Sequence, residues 1–247
     1  MTSPLSHIPR FHVPFALATG EEYVLPGDAG RHASRALRLR AGDAIALFNG
    51  AGGEFEAKIA RITRDEVVVV SGSQSPIERE SPLLVTLVQG ISSGDRMDLT
   101  IQKAVELGVT AIQPVLAERS VVKLSRERGN SRREHWQRVA ASACEQCGRN
   151  RVPLVAEAIP AVDYVAPEGT LKLLLVPGAH SGLRSQPIDR NQPIVLAAGP
   201  EAGFSPREDA KLLATGFLPI HLGPRVLRTE TAGPAALAAL NALYGDG

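Results

Sequence analysis

Cysteine is scarce in this 247-residue sequence, with only Cys144 and Cys147. Two cysteines cannot form a disulfide framework, which agrees with a reducing compartment. No apolar run approaches the ~18 residues needed to cross a bilayer, and the first residues, MTSPLSHIPRFHVP, lack the basic start and apolar stretch of a secretory signal. We therefore expect a cytoplasmic protein without a membrane partner.

Several common catalytic motifs are also missing. No GxGxxG follows a strand, no GxxxxGK[ST] is present, and GAHSG at 178–182 is not a GxSxG elbow. The six histidines show no metal-ligand spacing, and the CEQC sequence at 144–147 falls within a predicted helix without a second ligand pair. We interpret those cysteines as helix packing residues and expect no metal.

Charge is nearly balanced, with a net value of +1, yet the basic residues are mostly arginine. Between residues 119 and 151 nine basic residues face three glutamates, and Arg31, Arg35 and Arg38 have helical i, i+4, i+7 spacing. Arginine suits phosphate and base recognition, so these patches indicate an RNA partner. A GC-rich genome or a solvated helical face would explain the same arginines.

The alternation of strands and helices predicts two domains. Residues 1–72 carry short strand patterns separated by Gly and Asn-Gly turns, with one helix at 28–39, and predict a small β-barrel. Residues 73–82 are polar and proline-containing, as in a linker. In 83–247, apolar strands alternate with helices at 95–107, 132–147, 206–214 and 231–244. This pattern predicts an α/β domain with a parallel sheet covered on both faces.

Two turns in the second domain have the form that ligand sites favour. GPEAG at 199–203 follows an apolar strand and precedes a helix whose start has a capping box, formed by Ser205 and Glu208 around Pro206. LGPR at 222–225 follows another strand. Ligands of parallel sheets bind beyond the carboxyl ends of the strands, so the two turns predict two walls of one pocket.

The helix after the second turn raises a question about Arg228. Thr229 or Thr231 would serve as its N-cap, which explains the threonines by capping alone. Capping does not explain Arg228, since the helix dipole disfavours a cation at that end. We therefore expect Arg228 to act on a ligand or on RNA.

Six motifs together resemble the bacterial small-subunit (16S) ribosomal RNA uridine-N3 methyltransferases of the SPOUT class. They occur in the family's order along nearly the whole chain and are IPRFHV, LRLRAGD, QKAVELGV, EQCGRNRVP, GPEAGFSPRE and LGPRVLRTETA. The resemblance implies a PUA-like β-barrel, followed by an α/β domain with a C-terminal trefoil knot. It also implies a homodimer and the cofactor S-adenosylmethionine (SAM), which becomes S-adenosylhomocysteine.

The resemblance assigns site residues by position. The expected cofactor-binding residues are Val176, Pro177, Gly199, Pro200, Glu201, Gly203, Leu222, Gly223, Val226 and Leu227. Two departures bear on this site. Ala202 stands where the family usually has glycine, and because alanine disfavours a positive φ we expect it to narrow the turn. Pro234 falls in the first turns of the last helix, where a missing N–H costs little.

Methylation of uridine N3 requires loss of a weakly acidic proton. We expect Arg228 to stabilise the resulting anion or to anchor a phosphate, and Glu201 to accept the proton or orient SAM. The RNA, small-subunit ribosomal RNA alone or in an assembled subunit, would contact the candidates Arg10, Arg35, Arg38 and Arg40. Two alternatives stay open: a methyltransferase acting on another RNA such as tRNA, and a non-catalytic RNA-binding protein with a degenerate SAM site.

Overall fold

The structure is a computed structural model that describes residues 8–120 and 126–247. Residues 1–7, which begin the segment without secretory-signal features, and Lys123, one of the basic residues between 119 and 151, lie outside these ranges. The chain divides into two compact units, one of Met1–Glu80 with Cys144–Val152 and one of Ser81–Ala143 with Pro153–Gly247. Strand β5 ends at Ser75, so regular structure continues into the first residues of the segment predicted as a linker.

The first unit contains a five-stranded sheet with the strand order β1-β3-β4-β5-β2. Among the described strand pairs of this sheet, β1–β3 alone is parallel. Alternate residues of β4, Phe55, Ala57 and Ile59, are buried, as expected for a sheet with one face on a core. The short strands predicted within residues 1–72 are confirmed. Their bounds are β1 Arg10–His12, β2 Glu22–Val24, β3 Ala44–Phe48, β4 Glu54–Ile62 and β5 Val67–Ser75.

The predicted helix at 28–39 is shorter and less regular than expected. Helix α1 spans Gly27–Arg31 and continues as one π-helical segment, His32–Ala36. Arg38 follows the helix in a left-handed conformation with φ 55°. The expectation that Arg38 shares a helical face with Arg31 and Arg35 is therefore wrong, because the chain leaves the helix before residue 38.

The second unit contains an eight-stranded sheet in which every described strand pair is parallel. The strand order is β11-β13-β10-β12-β6-β7-β8, with β9 also paired to β7. All five residues of β12 are buried, so the predicted parallel sheet covered on both faces is confirmed. The bounds are β6 Val85–Gly90, β7 Ala111–Leu116, β8 Leu154–Val155, β9 Ile159–Pro160, β10 Leu171–Leu175, β11 Ser181–Gly182, β12 Ile194–Ala198 and β13 Leu218–His221.

Four further helices of the described residues belong to the α/β pattern, and all four predicted helices are present. Their bounds are α2 Arg96–Glu106, α3 Arg126–Cys147, α4 Pro206–Ala214 and α5 Thr229–Tyr244, with short 3-10 helices at Ala161–Asp163 and Leu183–Ser185. Helix α5 packs on α2 and on the sheet at β6 and β12. No helix within residues 8–120 and 126–247 is long and apolar enough to cross a membrane.

Helix α5 begins earlier than the sequence predicted, and this changes the position of Pro234. The helix starts at Thr229 rather than at 231, with Arg228 as its N-cap. Pro234 is therefore buried in the second turn, beyond the first four residues whose N–H groups need no helical partner. The expectation that its missing N–H costs little is wrong, since one helical hydrogen bond, to the Glu230 carbonyl, is lost.

Cys144 lies in the last turns of α3, where it is buried. Its thiol donates a weak hydrogen bond to the Arg151 carbonyl, with 3.7 Å from sulfur to oxygen. Burial raises the pKa of this thiol to about 12, so it stays protonated and acts as a packing residue.

Candidate functional site

A cavity of about 600 Å³ lies at the carboxyl ends of three adjacent strands, β13, β10 and β12. Its walls come from the segments that follow each strand and from the start of α5. The structure brings all ten predicted cofactor residues and Arg228 together around this one cavity. The lining residues are Arg96, Leu175, Val176, Pro177, Ala198, Gly199, Pro200, Glu201, Gly203, Phe204, Asp209, Ile220, His221, Leu222, Gly223, Arg225, Val226, Leu227, Arg228, Thr229, Glu230 and Ala232.

The turn after β12 is closely packed. A β-turn runs from Pro200 to Gly203, whose N–H donates to the Pro200 carbonyl at 2.8 Å. Gly203 has φ +68°, a conformation that favours glycine. Ala202 has no positive φ, so the reason for expecting the alanine to narrow the turn does not hold: the left-handed residue of the turn is Gly203.

The capping box predicted at the start of α4 is confirmed. The Glu208 N–H donates to Ser205 Oγ at 3.2 Å, and the Ser205 N–H donates to Glu208 Oε2 at 2.7 Å. The other carboxylate oxygen of Glu208 accepts the N–H of Glu118 at 2.8 Å. The helix start that ends this turn is therefore fixed by both local and distant hydrogen bonds.

Glu201 is held by the segment between β6 and α2. Its Oε1 accepts the Ser93 N–H and the Ser93 hydroxyl, both at 2.9 Å, and Arg96 Nη1 at 2.7 Å. Desolvation raises the pKa of this carboxyl, but hydrogen bonds from Ser93 and Arg96 outweigh it and lower the pKa to about 2. The group is ionised at neutral pH, and one of its oxygens is fully engaged.

The turn after β13 has fewer anchors. Gly223 has φ +100°, and its N–H donates to His221 Nδ1 at 3.0 Å. Arg225 and Val226 line the cavity and are exposed, with Val226 77% exposed. Arg225 has no hydrogen bond or ion pair with the rest of the described chain. In this turn the backbone at Gly223 is therefore held by a hydrogen bond, whereas the Arg225 and Val226 side chains are exposed.

Arg228 is the N-cap residue of α5, without a side-chain capping bond. Its guanidinium is exposed, and within the described ranges it has no hydrogen-bonding or ionic partner. A free cation at a helix N-terminus opposes the helix dipole. Beside a cavity, this arrangement suits an anionic or electron-rich ligand.

The N-cap of α5 is Arg228, so the capping role predicted for Thr229 or Thr231 is wrong, and Thr229 is instead the first helical residue. Its hydroxyl donates to the Gly199 carbonyl at 2.9 Å and accepts Gln89 Nε2 at 3.1 Å. The threonine therefore links the start of α5 to the turn after β12.

The sequence analysis did not assign several polar residues near the cavity to the site, among them Ser93, Arg96, Asp209 and Glu230. Ser93 and Arg96 follow β6, whose carboxyl end lies at the same sheet edge as the two predicted turns. The polar SSGDR stretch after that apolar strand was the available signal. Burial, followed by the nearby Glu208 charge, raises the pKa of Asp209.

The four arginines predicted to bind RNA differ in exposure. Arg10 is 13% exposed at its side chain, forms an ion pair with Glu54, donates to Asn150 Oδ1 at 2.6 Å and lies over the Phe48 ring. We therefore assign Arg10 to packing of the first unit rather than to RNA. Arg35, Arg38 and Arg40 are exposed, and their side chains form no ion pair with other described residues.

The basic segment at 119–151 is only partly free to bind RNA. The Arg149 guanidinium is buried against Glu80, and Arg151 pairs with Glu78. Its described exposed arginines, such as Arg132 and Arg138, remain accessible.

Within the described residues, no group of three or more His, Cys, Asp or Glu is placed to hold a metal ion.

Two family models match the chain. A family described as "RNA methyltransferase domain" matches residues 79–241, and "RNA methyltransferase PUA domain" matches residues 25–70. Among curated proteins, "Ribosomal RNA small subunit methyltransferase E" of Buchnera aphidicola is 32% identical over 97% of this chain and 98% of the relative.

Solved structures show the same similarity. A methyltransferase structure from Legionella pneumophila in complex with SAM is 39% identical, with a TM-score of 0.94 over 98% of this chain and 100% of that one. A ribosomal RNA small subunit methyltransferase E from Neisseria gonorrhoeae bound to SAM is 40% identical, with a TM-score of 0.89 over 97% and 99% of the chains.

Proposed function

Because this chain belongs to the ribosomal RNA small subunit methyltransferase E family, we propose that it transfers a methyl group from SAM to N3 of a uridine in small-subunit ribosomal RNA. The observation that carries this proposal is the cavity at the ends of β10, β12 and β13, with a free arginine at its rim.

The residues around the cavity suit SAM. The volume of about 600 Å³ falls within the range of small-molecule sites. Backbone groups at Gly199, Gly203 and Gly223 can approach a ligand without obstruction by a Cβ atom. Glu201 and Asp209 provide acidic groups for a cofactor with an ammonium and a sulfonium. SAM supplies an electrophilic methyl group.

The protein must bind the uracil and favour loss of its N3 proton. We assign the stabilisation of the developing negative charge to Arg228, because its guanidinium is free and lies beside the cavity. Glu201 suits an orienting role better than proton acceptance. Its pKa of about 2 makes it a weak base, and Ser93 and Arg96 already occupy one of its oxygens.

RNA docking is assigned to the first unit, which matches the PUA domain model. Arg35, Arg38 and Arg40 lie within a short segment and are exposed. They suit contact with phosphates, which position RNA without reading its sequence. Replacing all three with alanine should weaken RNA binding and lower the slope of log affinity against log salt by about two to three. An unchanged slope would contradict this assignment.

The assembly and location of the protein also belong to this proposal. We assign the chain to a cytoplasmic homodimer whose C-terminal part forms a trefoil knot. The exposed Val226 and the nearly all-apolar composition of α5 support a covering by a second copy. Analytical ultracentrifugation should give twice the chain mass; a monomer at micromolar concentration would contradict the dimer.

The experiment that tests the function is methyl transfer from labelled SAM to small ribosomal subunits that lack the modification. Transfer to tRNA and large subunits is measured in parallel, and the product nucleoside is identified. We expect N3-methyluridine in small-subunit RNA alone. Label in tRNA would overturn the substrate, and absence of label despite SAM binding would overturn the enzymatic role.

A further inference from the structure

We propose that Thr229 and Gln89 are positioning residues of the cofactor site, which fix the Gly199 peptide through a buried hydrogen-bond relay. Neither residue was expected to serve the site from the sequence. The inference rests on the proposed function, since Gly199 is assigned to the SAM wall.

The relay has a defined direction. Thr229 Oγ1 lies 2.9 Å from the Gly199 carbonyl oxygen and 3.1 Å from Gln89 Nε2. A carbonyl only accepts hydrogen bonds, so the hydroxyl proton points towards Gly199 and the hydroxyl lone pairs face the Gln89 amide. Gln89 is 0% and Thr229 6% exposed, so water does not replace these bonds.

The Gln89 amide is oriented by a second acceptor. Its Nε2 also donates to the Gly90 carbonyl at 3.1 Å. Reversing the amide would place oxygen against that carbonyl oxygen, which is unfavourable. The Gln89 Oε1 consequently faces Gly233 and has no partner in the described part of the chain. An unpaired buried acceptor costs stability. The two hydrogen bonds that Nε2 donates, to Thr229 and to Gly90, offset this cost and explain why the residue is glutamine.

Glycines bring the backbone segments around this relay close together. A Cβ atom on Gly90 would lie 2.4 Å from the nitrogen of Pro200, so the end of β6 contacts the turn directly. A Cβ on Gly233 would lie 3.3 Å from Gln89 Oε1. The turn after β12 is thus held between β6 and the first turns of α5, with Thr229 as the polar link.

Loss of the Thr229 hydroxyl should affect cofactor binding more than the chemical step. The Gly199 carbonyl would lose a buried partner, and glycine can reorient its peptide readily. Part of the free energy of SAM binding would then be used to return the Gly199 peptide to its binding-competent conformation, so the affinity for SAM would fall. Once SAM is bound, the reacting groups are unchanged.

The test compares SAM binding and kinetics for the full-length wild type, Thr229→Val and Thr229→Ser. We expect Thr229→Val to raise the Kd and KM for SAM about tenfold, with kcat at saturating SAM within about twofold. Serine retains the hydroxyl and should restore most of the affinity. Gln89→Leu should have a smaller effect, because the Thr229 bond to Gly199 remains.

Thr215→Val provides the matched control. Thr215 Oγ1 also donates to a backbone carbonyl, that of Leu212 at 2.9 Å, but Thr215 does not line the cavity. This variant should keep the wild-type KM for SAM. If Thr229→Val fails to fold, the comparison of Thr229→Ser with Thr229→Ala isolates the hydroxyl in the same way.

The outcomes separate the two proposals. If the wild type binds SAM and Thr229→Val binds it with the same affinity, the relay is overturned. Equal SAM affinities for the serine and alanine variants would overturn it as well. A wild type that binds no SAM overturns the cofactor assignment itself. A fall in kcat without a change in KM also contradicts the relay as a cofactor-positioning device.

Discussion

The turn after β12 and the turn after β13 each contain a Gly-Pro pair, Gly199-Pro200 and Gly223-Pro224, and each leads into a helix. Their anchoring differs. The first turn is fixed by a capping box, by the Glu201 contacts with Ser93 and Arg96 and by the Thr229 hydroxyl. The second has the His221 bond to Gly223 and a helix start without a side-chain cap.

This difference in anchoring indicates that the turn after β12 and the turn after β13 have different roles. A turn whose polar groups are already paired is preorganised and binds a constant ligand at low entropic cost. A turn with free arginines retains groups that can respond to a variable or charged partner. We therefore assign cofactor binding mainly to the first turn and action on the RNA base to the second.

The strongest expected effect is that of Arg228→Ala. Removal of a charge aimed at the developing anion should lower the single-turnover methyl-transfer rate by at least about 100-fold, while the SAM Kd stays within about twofold. Arg207→Ala is the control, since this exposed α4 arginine pairs with Glu118 and does not line the cavity. A rise in SAM Kd that matches the fall in rate would place Arg228 in cofactor binding instead.

Gly203→Ala should act on the cofactor. With φ +68°, an alanine at this position costs about 1 kcal/mol of stability, and we expect relaxation of the turn to weaken SAM about tenfold. Gly216→Ala has similar strain, with φ +90°, at the end of α4 and outside the cavity. It should lose comparable stability in chemical denaturation and keep its SAM affinity. Equal SAM binding by both variants would contradict the assigned role of the first turn.

Glu201→Gln should have a moderate effect and leave the pH profile unchanged. The amide keeps the size of the side chain but weakens the bonds from Ser93 and Arg96, so we expect a loss of about threefold in SAM affinity. Because the folded pKa is about 2, the rate between pH 6 and 9 should have the same inflections as the wild type. Loss in the variant of a rise in rate with increasing pH that the wild type shows would identify Glu201 as the proton acceptor.

The same pKa shift predicts how stability depends on pH. The carboxyl has its pKa lowered from 4.5 to about 2. The stabilisation that comes from its charge is therefore complete above about 4.5 and is lost as the pH falls towards about 2. Unfolding of the wild type and Glu201→Gln should differ by a constant amount above pH 6 and converge in acid; a difference that grows in acid would contradict this.

Ala202→Gly should have the smallest effect. Ala202 already has a negative φ, so glycine relieves no strain and adds only flexibility to the unfolded chain. SAM affinity should remain within about twofold by calorimetry. A large gain in affinity would show that the alanine narrows the site after all.

The sequence predicted features that depend on nearby residues. The α4 capping box joins residues three positions apart, and apolar strands alternating with helices indicated the parallel sheet. Both patterns are local consequences of backbone hydrogen bonding and burial.

Features that depend on distant residues could not be predicted in this way. Thr229 serves Gly199, 30 residues away, and Gln89, 140 residues away, while helix capping offered a sufficient local explanation. Arg10 pairs with Glu54, 44 residues away, so an apparently free basic residue is occupied. Only the fold decides which partner satisfies such a side chain.

A crystal structure of the protein with S-adenosylhomocysteine would test the different roles of the two turns. We predict ligand density in the cavity against Gly199, Gly203 and Gly223, with the Thr229 bond to Gly199 retained and the Arg228 side chain left free towards the RNA side. Ligand bound elsewhere, or Arg228 paired with the cofactor in place of the first turn's contacts, would contradict the division between the two turns.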